Sequence, residues 1–372
     1  MEKTQIWTIR KMIDWSKKYF ETNQIETPQL EAQILLGHVL HMNKMQLLLN
    51  ADRPLNADEL AEYKKLIIRR AKNREPTAYL LGERDFWTLN LKVTPDVLIP
   101  RPDTECLVEK AIDFAQFRLL NKRPSWMADS RRMTYEAFDE RKAYYAEIEA
   151  SDALEQKTTE WLEKSAERLK DLSEEERIQQ YHDEVLAQPL ETAKDEEASG
   201  ASTRFRIVDV GTGSGAIILA IASELDKAKI ELTAIDISQE ALAVAIENAE
   251  KNGMKDDISF IHSDLLDGFD GEADLIVSNP PYISTAEMAE LAPEVKREPV
   301  LALEAGSEGL DIYRRLVPQA ASKLAMGGAL IVEIGYAQSA AVEDIFRQNG
   351  LTQVQTFKDY GKQPRVVFGV KE

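Results

Sequence analysis

The sequence contains a single cysteine, Cys106, so no disulfide can form within the chain and no cysteine-rich zinc site can be built. Histidines number only four, and they show no ligand spacing: His38 and His41 fall in a helical segment and His182 in an acidic one. No uncharged apolar run approaches the roughly 20 residues a membrane span requires. Residues 1–18 are amphipathic and polar, without the apolar core of an export signal. Together these absences predict a soluble, cytoplasmic protein that uses no metal and no membrane.

Positive charge is also scarce. Forty-six basic residues face 65 acidic ones, a formal net charge of -19. Binding to duplex DNA or an anionic membrane rests on excess Lys and Arg, so no stable DNA partner is expected. The acidity is uneven, with 20 acidic and 8 basic residues between Glu136 and Glu197. That stretch has no glycine and one proline, Pro189. Its apolar residues (Tyr135, Phe138, Tyr145, then Trp161, Leu162, Leu169) recur at helical spacing, predicting two or three surface helices and a linker over 191–203. A solvated insertion is the plain reading, and a docking arm for an unknown partner is the alternative.

At 372 residues the chain can hold two domains. Residues 1–84 carry helical apolar patterns, such as Ala32, Leu35, Leu36 and Val39, and predict a small helical domain. Residues 85–100 read as a connecting strand pair, Phe86 to Ile99, ended by Pro100 and Pro102, with Asp103 placed to cap a helix from about Thr104. Residues 101–372 form the last domain, interrupted by the acidic insertion at about 120–203. Within it, strands over 205–210, 231–235, 258–261, 273–278 and 329–334 alternate with helices such as 216–225 and 239–251. This is the pattern of an α/β fold with a doubly wound, mostly parallel sheet, which binds ligands beyond the carboxyl ends of its strands.

The first of those strands runs into Gly211-Thr212-Gly213-Ser214-Gly215 and then a helix. Glycines let the backbone turn tightly against a ligand, and the helix start presents unpaired N–H groups, which suits a nucleotide-type cofactor. Asp236, ending the next strand, is placed to accept both hydroxyls of an adenosine ribose, whether of NAD or of S-adenosylmethionine. It could instead cap the following helix, a task Ser238 could also fill. Asp264 is a candidate for the adenine amino group, with Leu265 facing the ring. Ser278-Asn279-Pro280-Pro281-Tyr282 follows another apolar strand. Its prolines remove two donors and leave carbonyls, Asn279 adds a side-chain acceptor and Tyr282 a flat ring. An amide or exocyclic amine that must lose planarity to attack a methyl carbon is served by such a set.

These residues bring a family into view. The glycine loop and Asn279 to Tyr282 look like those of amino-methyltransferases that use S-adenosylmethionine, and the chain more closely resembles the release factor glutamine N5-methyltransferases, the HemK family. The stretches that carry the resemblance include Glu75-Pro76 with Tyr79 to Gly82, Leu98 to Glu105, the glycine loop, Asn279 to Ile283, Glu298-Pro299, Gly306 with Gly309-Leu310, and Asp359 to Gly361 with Arg365 to Val367. It does not extend over about 119–203, and Leu265 stands where some members carry an aromatic residue. The resemblance implies methylation of the glutamine of a Gly-Gly-Gln motif in peptide-chain release factors, docked by the helical N-terminal domain. It implies cofactor contacts from Asp209, Gly211, Thr212, Gly213, Ser214, Gly215, Asp236, Asp264, Leu265 and Asn279, and an acceptor site made of Asn279, Pro280, Pro281 and Tyr282. Arg101 lies in a family motif without an evident role. The nearest rival activity is methylation of adenine in nucleic acid, by base flipping into the same pocket.

Overall fold

A computed structural model of the chain describes residues 6–120 and 204–372, with Lys122, Pro124 and Trp126 between them. The helices and linker expected in the acidic insertion lie outside the described residues.

The N-terminal segment is helical: α1 (Ile9–Thr22), α2 (Pro28–Leu40), α3 (Lys44–Leu49), α4 (Ala57–Lys72) and α5 (Thr77–Leu81). Short polar residues begin three of these helices by satisfying backbone donors that have no partner within the helix. Asn43 and Asn56 form reciprocal capping boxes with Gln46 and Glu59, and Thr8 accepts from Lys11 N–H. The helices share a core that includes Ile9, Phe20, Leu35, Leu36, Tyr63 and Ile67. The one polar atom Tyr63 brings inside is matched, since its hydroxyl donates to Ala32 O at 2.9 Å.

A short antiparallel pair follows, β1 (Glu83–Phe86) with β2 (Leu89–Lys92). It begins three residues before the expected strand pair and ends well before Ile99. The reason is local: Trp87 sits at φ 55° and turns the chain, while Pro95 cannot donate to a ladder farther on. Helix α6 (Glu105–Leu120) is entered through a 3-10 turn, Pro102–Thr104. Asp103 does not cap it. No side-chain cap is formed there, and the Asp103 carboxylate turns instead to Arg365, 3.4 Å away.

The remaining elements are β3 (Phe205–Val210), α7 (Ala216–Glu224), β4 (Ile230–Asp236), α8 (Gln239–Lys251), β5 (Ile258–His262), β6 (Ala273–Ser278), α9 (Thr285–Glu290), α10 (Asp311–Lys323), β7 (Leu324–Glu333), α11 (Ser339–Gln348), β8 (Leu351–Lys358) and β9 (Pro364–Lys371). Seven strands form one sheet in the order β5-β4-β3-β6-β7-β9-β8. The first five are parallel, and β9 pairs antiparallel with both β7 and β8. Helices cover both faces, so the central strands read as continuous apolar runs; Ile276, Val277, Leu330 and Ile331 are all fully buried. β7 starts five residues earlier than its apolar run suggests, and a register shift between Ala273 and Leu275 absorbs the change. Chain order reverses between β3 and β6, which creates a crevice at their carboxyl ends.

Candidate active site

The crevice is a cleft. Its walls are Val210 to Ser214 after β3, Asp236 to Ser238 after β4, Ser263 to Leu265 after β5 and Ser278 to Pro281 after β6. Thus four strand ends bring together most of the residues singled out in the sequence.

The glycine loop is built from its own neighbourhood. Gly211 and Thr212 both donate to Ile235 O, at 2.8 and 2.9 Å. Gly211 and Gly213 have φ of 72° and 56°, with open space where a side chain would begin. Gly215, at φ 82°, serves another need: a Cβ there would meet Leu219 and Ala245 at 3.2 and 3.3 Å, so it lets α7 pack on α8. It does not line the cleft. Asp209 is likewise behind the loop, fully buried, with its Oδ2 accepting from the Thr212 hydroxyl at 2.7 Å and its Oδ1 without a partner. Burial pushes its carboxyl up to about 7.

Asp236 lines the cleft and is 9% exposed. One carboxylate oxygen accepts from Gly213 N at 2.8 Å and the other from Ser238 N at 2.9 Å, so its side chain braces the loop and keeps further lone pairs for a ligand. Burial raises its pKa, against those backbone hydrogen bonds. Capping of α8 falls to Ser238, whose hydroxyl accepts from Ala241 N at 3.1 Å. Asp264 pairs with Arg315 at 2.6 Å on the rim. Leu265 sits at φ 51°, a conformation a branched apolar residue rarely adopts, and reaches both the cleft and the core.

The opposite wall is held from far away. Asn279 Nδ2 donates to Thr104 Oγ1 at 3.2 Å, which leaves the Asn279 carbonyl oxygen as an acceptor for a substrate. Ser278 Oγ donates to Val210 O at 2.7 Å and ties β6 to β3. Tyr282 lies outside the cleft lining. Its hydroxyl donates to Glu333 Oε1 at 3.3 Å, its carbonyl accepts from Gln338 Nε2 at 2.9 Å, and Gly309 is needed beside it, because a Cβ there would stand 2.4 Å from Tyr282 O.

Arg101 acquires a partner. Its guanidinium pairs with Glu298, which is 4% exposed and also accepts from Ile99 N at 3.0 Å. The pair pins the chain before α6 to the segment that follows the proline turn.

Residues 11–82 match the PrmC N-terminal domain and residues 184–306 the methyltransferase small domain. A release factor glutamine methyltransferase of Geobacter sulfurreducens is 33% identical over 99% of this chain and 98% of its own length. Those of Caulobacter vibrioides and Haemophilus influenzae are 32% and 30% identical over 93% and 98% of this chain, and over 91% and 97% of their own length. The chain belongs to the release factor glutamine methyltransferase family. Its cofactor is S-adenosylmethionine, and the cleft suits it: open glycine backbone after β3, a buried carboxylate with spare lone pairs after β4, and the apolar surfaces of Ile237, Leu265 and Leu301.

Thr104, Leu98, Leu301 and Arg315 also line the cleft and were not singled out as site residues. Leu98 and Thr104 lie within a stretch that carries the family resemblance, the one signal that points to them. Asn248 was missed as well: fully buried on α8, it donates to Ser214 O at 2.8 Å and Lys92 O at 3.0 Å, joining the hairpin to the glycine loop.

Proposed function

We infer that this enzyme, an S-adenosylmethionine-dependent methyltransferase acting on a release factor glutamine, carries out its reaction across the cleft with separate walls for donor and acceptor. The observation that supports this reading is the Asn279–Thr104 hydrogen bond, which engages the Asn279 NH2 group and leaves its carbonyl oxygen to accept from an incoming amide. An amide nitrogen is a poor nucleophile because its lone pair is delocalised into the carbonyl. Asn279 Oδ1 and the Pro280 carbonyl accept its two hydrogens, hold the nitrogen in line and favour the pyramidal geometry of the transition state. Bound S-adenosylmethionine supplies an activated methyl group on a sulfonium. Asp236 and the loop from Gly211 to Ser214 hold its ribose and methionine ends, while Asp264 and Leu265 border the adenine. Pro280 and Pro281 keep the turn extended, and Tyr282 anchors it.

The substrate motif is Gly-Gly-Gln, and residues 1–84 dock the release factor. The activity belongs in the cytoplasm, where release factors act; among the described residues no helix is long and apolar enough to cross a membrane.

Mass spectrometry of a release factor incubated with the enzyme and S-adenosylmethionine tests the reading. One methyl group on the Gly-Gly-Gln glutamine is expected. Methylation of adenine in DNA, with none on the protein, would assign the acceptor wall to a base instead.

A further inference from the structure

Beyond the proline turn the chain leaves the acceptor wall and then returns to it. Ile283 donates to Leu303 O at 2.9 Å and accepts from Ala305 N at 2.8 Å. These bonds close a loop over residues 284–302, with α9 on its outward limb and Pro299, Leu301 and Ala302, which line the cleft, on its return limb. Midway along, the loop is gripped by the helical domain. Arg70, near the end of α4 and 7% exposed, donates from Nη1 to Glu294 Oε1 at 2.8 Å. Arg74 Nη2 lies 3.0 Å from the same carboxylate. Four residues farther on, Glu298 holds Ile99 N–H and Arg101. One carboxylate thus fixes the loop to the helical domain and the other fixes it to the chain before α6.

The arginine at the centre of this grip is suited to bridging. Its Nε and Nη2 donate to the two oxygens of Glu31 on α2, each at 3.2 Å, and Glu31 also accepts from the Thr77 hydroxyl at the start of α5. A single planar guanidinium therefore takes one partner inside the helical domain and one outside it, which the point charge of a lysine could not do in the same geometry. Largely buried pairs of this kind add little net stability, because the cost of taking the charges out of water offsets their attraction. What they fix is register: a displaced helical domain would pull Glu294 away from both arginines. Tyr79 of the same domain joins an apolar cluster with Val97, Ala241 and Val244, and contacts of that kind are far less directional.

We propose that Arg70 and Glu294 are positioning residues of the acceptor site, which set the loop over 284–302, and with it the mouth of the cleft, in register with the helical domain that docks the release factor. This rests on the reading of residues 1–84 as the dock. A release factor held there delivers its glutamine to one place, and the cleft mouth must be at that place. An error of about 1 Å at the reacting atoms is enough to cost roughly 100-fold in rate. Neither Arg70 nor Glu294 lines the cleft, so their influence passes through the loop and its return limb.

Glu294→Ala tests this while sparing the helical domain, since Arg70 keeps Glu31 and Arg74 keeps the carbonyls of Asn23 and Gln24, at 2.8 and 3.2 Å. Single-turnover methylation of the intact release factor should slow roughly tenfold or more. Calorimetry should show unchanged affinity for S-adenosylmethionine and, with S-adenosylhomocysteine bound, for the release factor. Glu294→Gln, which still offers a carbonyl oxygen to Arg70, should react at a rate between those of Glu294→Ala and the wild type, a graded rescue that general damage to the fold would not give. A wild-type rate in Glu294→Ala would overturn the proposal. So would a slow rate matched by an equal loss of release factor affinity, which would place Glu294 in the dock itself, or by a loss of cofactor affinity. Should Glu294→Ala fail to fold, a wild-type rate in Glu294→Gln overturns the proposal alone. A wild-type enzyme that neither binds nor methylates the release factor would instead overturn the functional reading beneath it.

Discussion

On the cofactor side of the cleft, the hydrogen bonds that hold the Asp209 and Asp236 carboxylates join residues that are neighbours in the chain or at the ends of adjacent strands: Thr212 to Asp209, Ser238 to Asp236, Gly213 to Asp236. On the acceptor side they cross long stretches of sequence, from Asn279 to Thr104, Ile99 to Glu298 and Tyr282 to Glu333. The first arrangement assembles wherever β3, β4 and their turns form. The second exists only once α6, the segment after β6 and the last parallel strand have been packed together. Cofactor binding and acceptor positioning are thus built by different parts of the fold, and they should fail separately.

The largest separation is expected from Asn279→Ala. Removing an acceptor that acts in the transition state costs roughly 100- to 1000-fold in turnover by analogy with other pre-organised sites, while S-adenosylmethionine affinity should largely survive. Single-turnover methylation alongside calorimetry checks both halves of the statement. A version of Asn279→Ala with wild-type turnover would remove the acceptor wall from the mechanism.

Glu298→Ala should come next, and it tests the long-range pinning rather than the chemistry. The change strands Ile99 N–H and removes the partner of Arg101. A loss of about 1–3 kcal/mol in chemical denaturation is expected for the buried donor, with turnover falling as the turn loosens. Undiminished stability and turnover would show that the pairing has no influence on the site.

Asp236→Ala sharpens the other side. The contacts proposed for it with the ribose would be charge-assisted and local, so the dissociation constant for S-adenosylmethionine should rise about tenfold or more, equivalent to about 1.4 kcal/mol, with the fold intact. Calorimetry decides it, and an unchanged affinity would assign Asp236 to bracing the loop alone.

The smallest effect should come from replacing residues 122–203 with a short Gly/Ser linker. Phe114 on α6 already packs on Phe205 at the start of β3, with ring centres 6.4 Å apart, so the flanking elements meet without the insertion. Loop length itself costs little, because closure entropy grows only with the logarithm of length. Basal methylation should persist, and its loss in a variant folded by circular dichroism would make the insertion part of the site.

The same contrast explains what could be read in advance. Gly211 to Gly215, Asp236 and Asn279 to Pro281 announce themselves because their chemistry is local: a strand, a turn and a few residues of special conformation. The parallel strands from Phe205 to Ser278 were legible for the same reason, as apolar runs between helices. Thr104 and Glu298 stand out only as members of stretches that carry the family resemblance, and Glu333 not at all, since a threonine or glutamate acquires its role only through a partner brought near by packing. Asp103 misled in the opposite way; an aspartate before a helix reads as a cap until Arg365 on β9 competes for it. The pair β8 and β9 escaped notice because Leu351–Lys358 is an edge strand with a break at Gln353, φ 52°, and most of its residues only half-buried.

The division between the two walls is tested most directly by initial rates of release factor methylation, measured against S-adenosylmethionine concentration for Asp236→Ala and Asn279→Ala side by side. Asp236→Ala should approach the wild-type rate at saturating cofactor, whereas Asn279→Ala should remain slow at every concentration. A rate that saturation fails to restore in Asp236→Ala, or that saturation does restore in Asn279→Ala, would contradict it.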